Sequence, residues 1–230
     1  MTFFLLKDIN MSNLVDAIKN RIRHDGGTFF ANDNISQYLM EGELDKLQME
    51  VADSIKQVLE SLIIDTENDH NTNETAKRVA KMYLKEVFAG RYQPMPKITE
   101  FPNAKHLDEI YTLGPITIRS ACSHHLVPIT GRAWIGVLPS DNVIGISKFV
   151  RLTNWIMARP QIQEESTVQL ADIIEKMIKP KGLAVVVEAT HQCMTWRGVR
   201  ESETKMTTSV MRGVFLDKPE CRAEFFRLIK

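Results

Sequence analysis

Two short clusters of metal-type side chains constrain this chain more than any other feature. They are Cys122-Ser-His-His125 and, far downstream, His191-Gln-Cys193. Cysteine is scarce, with three residues in 230, and two of the three stand in these clusters. Cys122 and His125 have the C-x-x-H spacing that lets two ligands from one turn reach one ion, and Cys193 supplies a third donor. A fold that uses both clusters must bring 122–125 and 191–193 together. Zinc takes thiolate and imidazole at about 2.0–2.3 Å; catalytic sites keep three protein ligands and an open position, whereas a structural site takes a fourth. His124, His191 and Cys221 are the candidates for that fourth ligand. If 183–193 runs as a strand, residues 191 and 193 point to one face, and His191 stands beside the metal without having to bind it. His124 adjoins a ligand and lies equally close. Spare histidines titrate near neutrality and can move protons. The plainer alternative, buried Cys and His with no metal, suits a lone residue better than this doubled pattern.

The charge balance narrows the partners. Twenty-nine basic residues meet twenty-nine acidic ones, so the net charge is zero. No footprint for nucleic acid or an acidic membrane follows, and any anion site must be local. Three cysteines make no disulfide framework and point to a reducing compartment, with the cytoplasm as the default. The apolar opening run 1–7 lacks a basic lead and a small-residue cleavage site, so it does not read as a signal peptide. No apolar stretch approaches the about 20 residues of a membrane helix.

The chain falls into three textures. Residues 1–40 are weakly patterned: a short helix is expected over 12–23, with Leu14, Ile18 and Ile22 on one side, Ser12 as a residue type that can cap it, and the Asp25-Gly-Gly27 turn at its end. This segment reads as an arm that packs on something else or stays mobile. Residues 41–92 form a helical segment. Leu44, Leu47, Val51, Ile55, Val58 and Leu62 predict an amphipathic helix over 43–63. A second helix is expected over 74–89, capped by Thr72 or Asn73 and ended by Gly90. From 93 onward β-type runs appear at 110–119, 129–138, 183–190 and 206–215. A helical region over 147–179, broken near Pro160, separates them into pairs, and a last helix is expected over 219–229. The pattern predicts an α+β domain over 93–230 with a mainly antiparallel sheet and helices packed on one face, preceded by the N-terminal helical segment.

A second constellation is basic. Ser147-Lys-x-x-Arg151 follows a strand and opens a helix. Ser147 can cap that helix, and free backbone N–H groups there attract anions. Lys148 and Arg151 share a face, and Arg197 lies four residues past Cys193. Converging Arg and Lys near a helix start suit a polyphosphate. Arg78 and Lys81 also share a face, although a solvated basic edge explains that pair as well. Shortly after the basic run comes Gln161-Ile-Gln163-Glu164-Glu165. A carboxylate here is able to accept the N–H pair on one edge of a guanine; a solvated helix face is the other reading.

Taken together these motifs resemble GTP cyclohydrolase I, the family that opens the guanine ring of GTP. The residues that carry the resemblance are Cys122-Ser-His-His-Leu-Val-Pro128, Gly145-Ile-Ser-Lys-Phe-Val-Arg151, Arg159-Pro-Gln-Ile-Gln-Glu164, His191-Gln-Cys-Met-Thr-Trp-Arg-Gly198 and Thr207-Thr-Ser209, with Glu74-Thr-Ala-Lys-Arg-Val-Ala-Lys81 upstream. The likeness runs from about residue 43 to the end. It implies the tunnelling fold, Zn2+ held by Cys122, His125 and Cys193, and water activated there adding to C8 of guanine. It implies that His124 protonates the imidazole nitrogen as the ring opens, and that His191 handles protons at the ribose and during deformylation. Glu164 with Gln163 would hold the guanine edge, and Ser147 would assist at the ribose. Arg78, Lys81, Lys148, Arg151 and Arg197 would line the triphosphate pocket. The products implied are formate and 7,8-dihydroneopterin triphosphate, a precursor for folate, biopterin and deazaguanine routes alike. The assembly implied is a homo-oligomer, most often a decamer with shared active sites.

Two positions depart from the family pattern: Ser123 stands where Glu is usual, and Thr75-Ala76 where Thr-Pro is common. Neither removes a ligand or an acid–base group. Ser123 leaves open a relative acting on another purine nucleotide. From a different class, a non-catalytic zinc-stabilised nucleotide-binding oligomer would show the same ligands without turnover. A cytidine-deaminase-like site is a poorer match, because its H-x-E and P-C-x-x-C pairs are absent.

Overall fold

The computed structural model describes residues 12–230; the opening run 1–7 lies outside the described residues, as does the side chain of Ser12. The chain divides into two compact units, one ending at Pro94 and one spanning Met95–Lys230. Among the described residues, no helix is long and apolar enough to cross a membrane.

In the first unit, helix α1 (Ser12–His24) presents Leu14, Ile18 and Ile22 at four-residue spacing. These bury with Ile35 against Tyr38, Leu39, Leu47 and Tyr92, so 12–40 is packed inside this unit. Polar contacts fasten it. Arg21 donates to both carboxylate oxygens of Glu43 at 2.7 and 2.8 Å. Arg91 donates to the carbonyls of Phe29, Phe30, Ala31 and Asp33. A guanidinium carries five donors in a fixed fork, which suits a run of loop carbonyls that lack strand partners. Helix α2 (Glu43–Ser61) follows, with Leu44, Leu47, Val51 and Ile55 half-buried but Val58 exposed, as is Leu62 just past its end.

The second helix differs from its expectation. Helix α3 (Thr75–Lys81) passes into a π-helical stretch, Met82–Val87, and then helix α4 (Ala89–Tyr92). The Phe88 N–H reaches back to the Tyr83 carbonyl at 2.9 Å, the wide turn of a π-helix. That turn stacks Tyr83 on Phe88 with ring centroids 4.9 Å apart. Gly90 therefore lies within α4 and does not end the helix. Neither Thr72 nor Asn73 caps α3: the flanking residue is Glu74, and the Thr72 hydroxyl donates to the carbonyls of Asp65 and Asp69 instead.

The second unit is built on a five-stranded sheet in the order β5-β2-β3-β6-β7, with a separate two-stranded pair β1-β4. The strands are β1 (Glu100–Pro102), β2 (Tyr111–Cys122), β3 (Pro128–Leu138), β4 (Asn142–Ile144), β5 (Pro160–Gln161), β6 (Gly182–His191) and β7 (Met206–Gly213). Every pairing in the large sheet is antiparallel except β2 with β5. Alternation assigns its faces. Ile116, Ile118, Ala133, Ile135, Val137, Leu183, Val185 and Val187 line one face. Helix α5 (Ile146–Met157) covers it with Phe149, Leu152 and Ile156, and helix α6 (Gln163–Ile178) with Leu170, Ile174 and Ile178. On the other face Ala184 and Val186 meet Phe215 and Phe225 from α8 (Val214–Asp217) and α9 (Pro219–Leu228).

Three element ends depart from the sequence reading. Strand β6 stops at His191, and Gln192–Thr195 forms a helical turn, α7. Its partner β3 begins at Pro128, which has no N–H to extend the ladder. Strand β7 stops at Gly213, whose φ of 52° turns the chain into α8. The cap of α5 is Gly145 in extended conformation, and Ser147 lies within the first helical turn, so it does not cap the helix.

Close packing of the second face gives a test. A Cβ built on Gly136 would stand 2.4 Å from the Phe225 ring, which is fully buried. Gly136→Ala is expected to destabilise this unit by about 1–3 kcal/mol through overpacking. The measurement is the urea midpoint, which should fall with the slope unchanged. An unchanged midpoint would mean that α9 is free to shift.

Candidate metal centre and active site

Register brings the two clusters together. Ser120 of β2 pairs with Ile129 of β3, and Ile129 pairs with His191 of β6. Cys122 and His191 are therefore at the same end of the two strands that flank β3. Beyond Cys122 the chain makes a tight loop, closed by the Leu126 N–H to the Cys122 carbonyl at 2.8 Å and the Cys122 N–H to the Val127 carbonyl at 2.9 Å. Leu126 takes φ 54°, an uncommon conformation for a side-chain-bearing residue. The loop turns His125 back over Cys122. From the β6 side, α7 carries Cys193 to the same place.

The ligating atoms of Cys122, His125 and Cys193 all lie within 4.8 Å of one another. Cys122 Sγ is 3.9 Å from His125 Nδ1. Ligands at about 2.3 Å (S) and 2.0–2.1 Å (N) around a tetrahedral ion stand about 3.5–3.8 Å apart. Cys122 and His125 therefore need to close by only a few tenths of an ångström, and no pair by more than about 1 Å, to grip one ion, and two thiols with one imidazole are a donor set for a soft-to-borderline metal. Burial and the neighbouring Cys122 thiol push the Cys193 thiol up from its ordinary range. A bound cation reverses that pressure, because it favours the thiolate.

The break at Pro160 is what places the next residues. The two-residue strand β5 lies parallel to the end of β2, pairing Pro160 with Ala121 and Gln161 with Cys122. The Gln161 carbonyl accepts from the Ser123 N–H at 2.9 Å. Ser123 is thus held through its backbone, half-buried, between the ligand and the start of α6. Helix α6 then begins with Gln163 and the exposed Glu164. His191 Nε2 is 2.8 Å from Gln163 Oε1. Burial pulls the His191 pKa below the ordinary imidazole range, while the negative charge of Glu164 pulls the other way.

The other expected residues divide. His124 is exposed on the loop, its ring edge-on to His125 with centroids 6.3 Å apart. Arg197 joins the cluster directly: its Nη1 is 2.9 Å from His125 Nε2. Ser147 and Arg151 are exposed on the first turns of α5, and Lys148 Nζ donates to the Lys97 carbonyl at 3.0 Å. Arg78 and Lys81 belong to the first unit, both exposed on α3, with Arg78 donating to the Asn71 carbonyl. Gln163 differs most from its expectation as a residue open to substrate. It is 3% exposed, and its amide nitrogen faces the carbonyls of Val187 and Met206 and the hydroxyl of Thr208. Cys221 packs with Phe215 and Phe225 on the second face and takes no part in the cluster. Thr167 and Thr208, linked at 2.8 Å, are the residues that sequence reasoning missed. Thr208 sits in the Thr207-Thr-Ser209 motif, which flagged the place without a role.

The sequence profile of the family described as GTP cyclohydrolase I matches residues 51–230. The chain belongs to the GTP cyclohydrolase I family. A Rhodopirellula baltica protein named GTP cyclohydrolase 1 is 41% identical over 187 residues, covering 81% of this chain and 80% of its own. Relatives of the same name from Photobacterium profundum and Salmonella choleraesuis are 38% and 36% identical. They cover 76% and 78% of this chain and 81% of their own lengths. The α+β tunnelling fold expected from the motifs is thus the fold of the family, and the Cys/His/Cys cluster lies inside the matched span.

Metal loading tests the ligand set. After incubation with zinc and gel filtration, the chain is expected to retain about one ion per copy by elemental analysis, as a three-donor cluster requires. Cys122→Ser, His125→Ala and Cys193→Ser should each lose stoichiometric zinc, whereas Cys221→Ser should not. Full retention in Cys193→Ser would remove that residue from the set.

Proposed function

We propose that the chain is a zinc-dependent GTP cyclohydrolase I that opens the imidazole ring of GTP at C8, releases C8 as formate and yields 7,8-dihydroneopterin triphosphate. The observation that carries this reading is the three-donor cluster of Cys122, His125 and Cys193 with a further imidazole on each side, His124 on the loop and His191 at the end of β6. In the reading, Cys122, His125 and Cys193 hold Zn2+. When bound, the ion supplies Lewis acidity that makes water a nucleophile near neutral pH.

The chain's own groups do the rest. Glu164 stands in the first turn of α6, near enough to His191 for its charge to be felt there, and its carboxylate would accept from the two N–H groups on the guanine edge. His124 donates a proton to the imidazole nitrogen as the C–N bond breaks, so the leaving nitrogen departs neutral. His191 takes and returns protons at the ribose and as formate leaves. Ser147 assists at the ribose. Lys148, Arg151 and Arg197 bind the triphosphate, their cationic groups meeting its charge. Three free cysteines favour a reducing, cytoplasmic setting, since Cys122 and Cys193 must be reduced to bind the ion as thiolates.

A homo-oligomer, a decamer by the family pattern, is part of the same reading. It is supported by the sheet's outer strands: β2 pairs with β5 only at Ala121 and Cys122, and β7 has a neighbour on one side. Unpaired strand edges are templates for another sheet.

Incubating the zinc-loaded protein with GTP should release one formate per GTP and give a pterin that fluoresces after oxidation. A chelator should abolish both signals. His124→Ala and His191→Ala should each lower the rate by about 10²–10⁴. Product from dGTP or ATP in preference to GTP would move the substrate to another purine nucleotide. Bound GTP with no formate from the zinc-loaded protein would overturn the enzymatic reading.

A further inference from the structure

We infer that Gln163 is a positioning residue that fixes the tautomer of His191, with the proton on Nε2 and the lone pair on Nδ1. The inference rests on the reading of His191 as a proton-transfer group, and it replaces the expectation that the Gln163 side chain binds substrate. The amide of Gln163 has two ends and two orientations to choose between. One end meets the Val187 carbonyl, the Met206 carbonyl and Thr208 Oγ1, each at 3.1 Å. The other end meets His191 Nε2 at 2.8 Å.

The neighbours decide. Two are carbonyl oxygens, which only accept. The third is a hydroxyl, and its single proton is already committed. Thr167 Oγ1 donates to the backbone carbonyl of Gln163 at 2.7 Å, so its own proton is in use. The 2.8 Å contact between Thr167 and Thr208 must then take its proton from Thr208. Toward Gln163, Thr208 is an acceptor only. Three acceptors require the NH2 end of the amide. A flipped amide would set Oε1 against three oxygens in a buried place with no proton between them. Oε1 therefore faces His191, and because it only accepts, the imidazole donates from Nε2. The tautomer of a histidine is set by the hydrogen bond that its other nitrogen makes. Nδ1 is left as the basic nitrogen, on a ring whose far side is anchored to a buried network.

Solid-state 15N spectra of the zinc-loaded full chain, labelled only at histidine, read the tautomer directly. Loss of signals in His191→Ala assigns its pair. At about pH 8, where imidazoles are neutral, Nε2 should show as proton-bearing and Nδ1 as proton-free. A proton on Nδ1, or an averaged pair, overturns the proposal whatever the turnover. In Gln163→Met, which keeps the length and loses the acceptor, the pair should become averaged. Its kcat for GTP should fall about 10–100-fold, the usual effect of losing an outer partner. KM should stay within about twofold, as expected when substrate binding is untouched. In Gln163→Glu the carboxylate still accepts from Nε2, so the pattern should persist. An unchanged His191 pattern in Gln163→Met, or a raised KM with kcat intact, overturns the positioning role and returns Gln163 to substrate binding. Wild-type protein with the stated 15N pattern but no GTP turnover would overturn the proposed function and leave the tautomer standing.

Discussion

Strand β3 lies between β2 and β6, and the site depends on that one pairing. The end of β2 carries Cys122 and the loop after it His124 and His125; the turn that follows β6 carries Cys193. Neither segment has a contact with the other in sequence. The row Ser120, Ile129, His191 sets their relative height, and a one-residue slip on either side would turn a ligand to the wrong face of the sheet. Register here is held by what is buried on each face: Ile135 and Val185 against α5 and α6, Gly136 and Ala184 against Phe225 and its neighbours. The C-terminal helices thus bear on the chemistry without approaching it.

Proline punctuates the site on both sides. Pro128 ends the ladder at His191, which frees the chain to coil into α7 and swing Cys193 inward. Pro160 ends α5 and starts the two residues that run alongside Cys122. That short parallel pairing delivers Gln163 and Glu164 to the end of the sheet that carries Cys122 and His191. Charged and apolar parts are then divided. Ligands and histidines sit at the strand ends, the cations on α5 and after α7, and the threonine–glutamine network is buried beneath them.

Much of this was legible in the sequence because it rests on short-range pattern. The spacing of Cys122 and His125, the β-type run over 129–138 and the apolar spacing over 43–63 each state their element locally. What escaped was decided by partners distant in the chain. The end of β6 at His191 depends on a proline in β3. The burial of Gln163 depends on backbone carbonyls of Val187 and Met206, which leave no trace in side-chain pattern. The loop 29–33 is fastened by Arg91, whose guanidinium meets carbonyls that side-chain pattern does not show either. The π-helical turn at 82–87 goes with the stacking of Tyr83 on Phe88, which no helical periodicity encodes. Ser123, one of the two departures from the family pattern, is held by its backbone N–H, a contact that does not use the side chain.

The central claim is that Cys122, His125 and Cys193 grip one zinc ion and leave it an open position. Zinc K-edge absorption spectroscopy of the loaded chain reads that arrangement without reference to turnover. The account predicts two sulfur neighbours at about 2.3 Å and one imidazole nitrogen at about 2.0–2.1 Å, with a fourth light atom from solvent. A shell with no sulfur, or one closed by a third sulfur or a second imidazole, would contradict it.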